Sequence, residues 1–227
     1  MQHSLLKQRK KREGMVFPFL SLLLFFVFIV LSVMVGTGVF VQIDTRATQT
    51  IQSALPHTLD LPFSILSALA TVEPTGFVWL LLFIILLMKR HMVTAASLFL
   101  FWVGSSIEIF NKFFLHQPDP PSSLYRGVFH VTSVSRFLHT NYAYPSGHII
   151  RTTFLATFLF VWVLLQGSRR AKIIWGVCLS LFVLAMMVSR IYLAEHWLSD
   201  VLGGTLLGGS LALISAWTIT RYLPSKR

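Results

Sequence analysis

Charge is what this chain has least of. Asp, Glu, Lys and Arg together make up 12% of its 227 residues. A water-soluble domain carries about 25%. Half that amount leaves too little polar surface to clothe a fold in water, so an ordinary soluble domain is excluded and lipid is the expected solvent. Acidic residues are scarcer still, with 8 Asp and Glu against 19 Lys and Arg. Cysteine is almost absent. Cys178 stands alone inside an apolar run, which excludes an internal disulfide and a thiolate metal cluster. It reads as a small, buried, inert side chain. No internal repeat and no low-complexity linker interrupts the chain.

Hydrophobic residues fill the space that charge leaves. They make up 55% of the sequence, with 20 Phe and a mean hydropathy of +0.71. The length suits one domain. A net charge of +11 raises the question of nucleic acid. The basic residues, however, sit at the ends of apolar runs and not on a face interleaved with aromatics, so no nucleic-acid partner is expected. The basic start, Lys7 to Arg12, reads first as a topology signal and second as a contact for anionic headgroups.

Val16 to Val41 is one long apolar run. A cleaved secretory signal has an apolar core of about 7–15 residues, so this run reads as a retained membrane helix. Gln42 to Thr75 is mixed and broken by Pro56, Pro62 and Pro74, with an apolar piece at Leu61 to Ala70 suited to the membrane interface. Further runs follow at Gly76 to Met88, Met92 to Leu115, His148 to Gln166, Ile173 to Leu193 and Trp197 to Leu223. Spanning the apolar core takes about 20 residues, so the second run must borrow from the segment before it. The expectation is an all-α, integral membrane bundle of six transmembrane helices. Residues 1–15 form a basic cytoplasmic segment, 16–223 the membrane domain, and 224–227 a short tail.

Basic residues test that count. Lys7 to Arg12, Lys89 with Arg90, Arg169 with Arg170 and Lys172, and Arg221 with Lys226 and Arg227 all fall on one side of a six-span chain. The positive-inside rule makes that side cytoplasmic. Both termini are then inside, and the loops 42–75 and 116–147 and the corner 194–196 face outward. The cell membrane is the expected location.

Ionisable groups at membrane helices are costly and are functional candidates by default. Here they are Glu108, Lys112, His148, Arg151, Arg190, Glu195, His196 and Asp200, nearly all at the outward ends of the last four spans. In YPSGHIIR, Ser146 is a good helix N-cap, and Gly147 and His148 offer backbone N–H groups at the positive end of the helix dipole. Arg151 follows on a neighbouring face. An ordinary capped helix with a snorkelling arginine is the plainer account of the same residues. In SRIYLAEHWLSD, His196 and Asp200 are four apart and share a helix face, so the carboxylate can fix one imidazole nitrogen and leave the other free. Arg190 can neutralise an anion. A structural His–Asp hydrogen bond is the plainer account there, and Glu195 reads as a solvated corner charge. His116, His130 and His139 read as loop residues.

Two histidines, a carboxylate partner, an anion-binding helix end and two or three cations point to phosphoryl transfer, with one histidine attacking phosphorus and the other protonating the leaving oxygen. Zinc is the competing use of histidines. His148 and His196 lie on different helices beside several cations, which disfavours a bound dication.

These segments resemble the phosphatidic acid phosphatase type 2 superfamily of membrane lipid phosphatases. Its pattern is Lys, six residues, Arg-Pro; then Pro-Ser-Gly-His; then Ser-Arg, five residues, His, three residues, Asp. Pro145-Ser146-Gly147-His148 matches the second part, and Ser189-Arg190, His196 and Asp200 match the third with the right gaps. The resemblance implies that His196 forms a phosphohistidine, that Asp200 orients it, and that His148 is the general acid. It further implies that Lys112, Arg190, Ser146 and the Gly147 amide hold the phosphate. Neither metal nor cofactor is implied. The substrate is a lipid phosphate or polyprenyl pyrophosphate in the bilayer.

The first part departs. Lys112 is followed by FFLHQP and then Asp119-Pro120, so an acid stands in the arginine's place. Unit charges about 6 Å apart, at an effective dielectric near 20, interact by about 3 kcal/mol. A carboxylate aimed at phosphate would therefore impair the site. The expectation is that Arg151 supplies the missing cation and that Asp119 faces away, paired with a loop arginine such as Arg126 or Arg136. Recognition of an unusual headgroup by Asp119, or a lapsed site that only binds, are the alternatives. Glu108, one turn before Lys112, either steadies that lysine or makes an unrelated interhelical contact. A phosphotransferase using the same intermediate and a transporter complete the competing readings. The sequence leaves the oligomeric state open.

Overall fold

The structure is a computed structural model. It describes residues 2–128 and 142–222, with side chains from residue 15 onward. The expected histidines His130 and His139, Arg136 and the tail 224–227 lie outside the described residues. The chain forms helices α1 (Gln2–Gly36), α2 (Val41–Ala54), α3 (Asp60–Leu69), α4 (Val72–Met88), α5 (Met92–Ser97), α6 (Leu100–Phe114), α7 (Gly147–Gln166), α8 (Arg169–Tyr192) and α9 (Leu198–Tyr222).

Five helical stretches are long and apolar enough to cross a bilayer: Met15–Gly36, Met92–Phe114 (α5 with α6), Gly147–Gln166, Arg169–Tyr192 and Leu198–Tyr222. The sixth is a pair, His57–Leu69 and Val72–Met88, bent by 46° at a short break. This is the segment expected to borrow from its predecessor. The six-helix architecture therefore holds, with one span in two limbs. Leu61 to Ala70, read as an interfacial piece, falls largely within the first limb, His57–Leu69.

α9 is the central helix and packs most closely on α7 and α1. Small residues allow its backbone to approach α7. A Cβ added at Gly204 would lie 2.7 Å from the Ser146 carbonyl oxygen, and one at Gly208 would press on the carbonyl of Ile150. Around this contact Phe28, Phe101, Ile150, Phe154, Leu207 and Leu211 form the main apolar core. Serines tie the helices laterally. Ser21 donates to the Ser210 carbonyl at 2.8 Å, and Ser97 meets Ser215 at 2.9 Å. Such interhelical bonds average about 0.6 kcal/mol in membranes, so they set register more than stability.

α8 is peripheral. Little of its apolar surface is buried, and Cys178 upon it is exposed. That corrects the reading of Cys178 as buried: an apolar neighbourhood in sequence signified a lipid-facing helix, not a core. α2 is the element that the apolar pattern did not announce. Its inward face carries Asp44, Thr48 and Gln52, all buried and spaced four apart. The pattern is inverted, polar inward, so a search for an apolar stripe passes it by.

Helix order places the end of α6, the start of α7, the end of α8 and the start of α9 at one end of the bundle. The turns bearing Lys89 with Arg90 and Arg169 with Arg170 lie at the other.

Candidate active site

At the first of these ends the motif segments are stitched together by backbone. The Ser146 N–H donates to the Asp200 carbonyl at 3.0 Å, joining the start of α7 to the first turn of α9. The chain leaves α8 through a sharp corner in which Ala194 takes φ +51. A non-glycine residue in this region costs about 1 kcal/mol or more, and such strain gathers at functional sites. The N–H groups of Glu195 and His196 both donate to the Arg190 carbonyl, at 3.1 and 3.2 Å. This turn sets Arg190 and His196 side by side.

His196 Nδ1 lies 3.2 Å from Asp200 Oδ2, which also accepts from the Trp197 N–H at 2.9 Å. The expected pair is thus formed, and Nε2 is the nitrogen left over. Burial, then the charges of Arg190, Lys112 and Arg151, hold the His196 imidazole well below the usual histidine range, so its neutral form dominates at neutral pH. The same three cations and His196 act electrostatically on His148, so both imidazoles belong to one cluster.

Lys112, His148, Arg151, Arg190, His196, Asp200 and Glu108 are none of them more than 7% exposed. Buried charge at that level needs partners. Glu108 Oε1 accepts from Lys112 Nζ at 2.8 Å and Oε2 accepts from Arg151 Nη1 at 3.1 Å. Arg151 Nε also reaches the Ala70 carbonyl, at 3.4 Å. Arg151 is therefore inside the cluster, with Lys112. Arg190 pairs with Glu195 and with the Ser67 hydroxyl, and Ser67 donates to Glu195 at 3.0 Å. Glu195 is not a solvated corner charge; it is the counterion of Arg190.

Ser146 stands at the N-cap position, yet its hydroxyl makes no capping bond. Its Oγ, His148 Nε2, Arg190 Nε and Asp200 Oδ1 are buried side-chain atoms without a partner among the described residues. Folded proteins rarely leave such atoms unsatisfied. Ser146 Oγ, His148 Nε2 and Arg190 Nε can each donate, and His148 lies within the field of three cations, so these groups can receive hydrogen-bonding oxygens, whereas Asp200 Oδ1 only accepts. Gly147 sits against the Glu108 carboxylate, where a Cβ would overlap it. Asp119 is exposed on the loop after α6. Arg126 stacks over the Tyr192 ring with its guanidinium carbon 5.0 Å from the centroid. Among the described residues, no three His, Cys, Asp or Glu side chains are placed to hold a metal ion together.

Several supports were not legible beforehand. Ser67 lies in α3 and Ala70 directly follows it, in a stretch that no motif includes. On α2, Asp44 accepts from the Ser199 N–H and hydroxyl, and Gln52 donates to the Tyr192 and Leu124 carbonyls at 2.8 and 2.7 Å. Gln117 joins them, donating to Asp44 at 3.3 Å and to Ser199 at 3.2 Å. Tyr144, fully buried, bonds Ser32 of α1 at 2.9 Å. The signal for the α2 residues was a polar stripe at helical spacing in a segment short of charge.

The fold is similar to that of a crystal structure described as the first transmembrane PAP2 type phosphatidylglycerolphosphate phosphatase from Bacillus subtilis. The TM-score is 0.69 at 16% identity, over 86% of this chain and 93% of that one. None of the curated proteins compared with the chain matches it. The PAP2 superfamily model matches residues 91–223, which carry every motif residue of the cluster, and the chain belongs to that superfamily of membrane phosphatases.

Proposed function

We propose that the chain removes phosphate from a lipid phosphate or polyprenyl pyrophosphate at the outer membrane face, through a phosphohistidine and without a metal. The observation that carries this reading is the cluster itself: the oriented His196–Asp200 pair, His148 and three cations around unpartnered polar atoms.

Lys112, Arg151, Arg190, Ser146 and the Gly147 amide hold the phosphoryl oxygens and offset charge spread over them in the transition state. Nε2 of neutral His196 forms a P–N bond as the P–O bond to the lipid breaks. His148 gives its proton to the departing lipid oxygen. It then takes one from water as that water attacks phosphorus, the P–N bond breaks, and inorganic phosphate forms. Asp200 holds His196 in the tautomer that this requires and offsets the charge that develops on the ring. Arg151, from the turn after His148, supplies the cation that Asp119 does not. The positive-inside rule applied to the four basic clusters supports placing this end of the bundle at the exterior.

The test is phosphate release from a panel of lipid monophosphates and pyrophosphates in detergent containing a chelator. Release that survives the chelator and disappears in His196→Ala is expected, with label from a phosphate-labelled lipid trapped on the wild-type protein. Release that requires added metal would overturn the metal-free scheme. Product transfer to an added alcohol in preference to water would make the chain a phosphotransferase. Binding with no turnover on any lipid would make it a lapsed site.

A further inference from the structure

Glu108 has no counterpart in the phosphate-binding pattern, yet it sits among the groups that pattern brings together. One carboxylate oxygen takes Lys112 and the other takes Arg151, at 2.8 and 3.1 Å. The carboxylate also lies against Gly147, so closely that a methyl group there would overlap it. It is buried, and it points to the opening turn of α7, where backbone N–H groups favour an anion. Two oxygens on two cations beside a helix amino end is how one face of a phosphate would be held.

We propose that Glu108 is an internal anion that contests Lys112 and Arg151 with phosphate and so drives inorganic phosphate off the enzyme after turnover. This rests on the phosphatase reading above. The physical basis is like-charge repulsion. A phosphate on the same two cations sits a few ångströms from the carboxylate, in a site from which water is largely excluded, where repulsion is weakly screened. The consequence differs for substrate and product. A lipid phosphate is also held by its apolar tails in the bilayer, whereas inorganic phosphate has only these polar contacts. A competing carboxylate weakens both by a similar factor, but the substrate keeps the affinity that its tails supply, so product leaves while substrate is still captured.

A second account of the same contacts is that Glu108 only braces the two cations. The accounts predict opposite signs. If Glu108 competes, removing its charge tightens phosphate. If it braces, removing it slackens both cations and weakens phosphate. The experiment is calorimetric titration of inorganic phosphate into the purified full chain, wild type and Glu108→Gln, beside hydrolysis assays on the same preparations. The expected result is at least fivefold tighter phosphate binding in Glu108→Gln, with a matching fall in the inhibition constant of inorganic phosphate. Unchanged or weaker binding, with the wild type still hydrolysing lipid phosphate, overturns the proposal and leaves the phosphatase reading standing. A wild type that neither hydrolyses nor binds phosphate overturns both. Should Glu108→Gln fail to fold, Glu108→Asp decides. It keeps the charge but draws it back by one methylene, and at least twofold tighter binding is expected. No tightening in that variant overturns the proposal.

Discussion

Asp44 and Ser199 are 155 positions apart, yet one carboxylate on α2 takes both the N–H and the hydroxyl of the second residue of α9, at 2.8 and 2.7 Å. The cap of the helix that carries Asp200 thus comes from a different helix. Gln52, two turns along α2, holds the Tyr192 carbonyl just before the corner. His196 is bracketed from both sides by one short polar helix.

Asp44→Asn therefore loosens the corner more than the phosphate cradle. A buried hydrogen bond to a charged group contributes about 1.5–3 kcal/mol. The variant is expected to lower kcat about tenfold while KM changes little, measured as phosphate release against lipid concentration. Burial raises the Asp44 carboxyl above its usual range despite bonds from Ser199 and Gln117. The native state then binds the proton more tightly than the unfolded chain, so stability falls as pH rises from the ordinary carboxylate value through the raised one. Asp44→Asn removes that slope, which thermal unfolding in detergent at a series of pH values measures.

In the proposed mechanism the charge of Arg151 bears on the transition state. Arg151→Ala should cut turnover at least tenfold, with Arg151→Lys recovering part of it, because a lysine restores the charge without the fork. A near-normal rate in Arg151→Ala would remove Arg151 from the cation set and leave the acid at Asp119 unexplained.

The two histidines separate by intermediate. His196→Ala should abolish turnover and label trapping together. His148→Ala should lower turnover by about a hundredfold or more while His196 can still be labelled, since general acid–base catalysis contributes 10²–10⁴-fold. Rapid quench with labelled substrate distinguishes the two.

Activity should also report the environment of His196. Its imidazole titrates well below the usual histidine value, through burial and then the cations. The ring stays unprotonated as pH falls past the ordinary value, so with His196 as the proposed nucleophile the acid limb of kcat/KM is expected below it. Arg190→Gln removes the largest of the charges acting on it and should move that limb upward. An unmoved limb would assign the acid titration to another group.

Gly204 tests the helix contact. Its added Cβ meets a backbone oxygen of Ser146, not a flexible side-chain end. Gly204→Ala must part α7 from α9 or shift Ser146, and it should lower activity and thermal stability together, measured on the same detergent preparation.

The apolar runs were legible because a bilayer-crossing helix needs little more than length and hydropathy, and Met15–Gly36 and Gly147–Gln166 follow from that. The Pro-Ser-Gly-His segment and the His196–Asp200 spacing were legible because phosphoryl chemistry restricts residue type tightly. Arg151 was found by a charge argument: a cation was missing and a long side chain lay one turn away. Asp44, Gln52, Ser67 and the Ala70 carbonyl were not found. Their roles depend on which helix lies against which, and a hydrogen bond to a backbone carbonyl leaves no mark on residue type. Glu195 and Cys178 were misplaced for a related cause. Neighbours in sequence do not say whether a surface faces protein, lipid or water.

The region matched by the superfamily begins at His91, but Asp44, Gln52, Ser67 and Ala70 precede it. A shortened polypeptide starting there would retain each recognised signature and lose the outside braces on two of its arginines and on the corner that carries His196. The segment from Asp44 to Ala70 thus holds the cluster in shape as much as the matched region does.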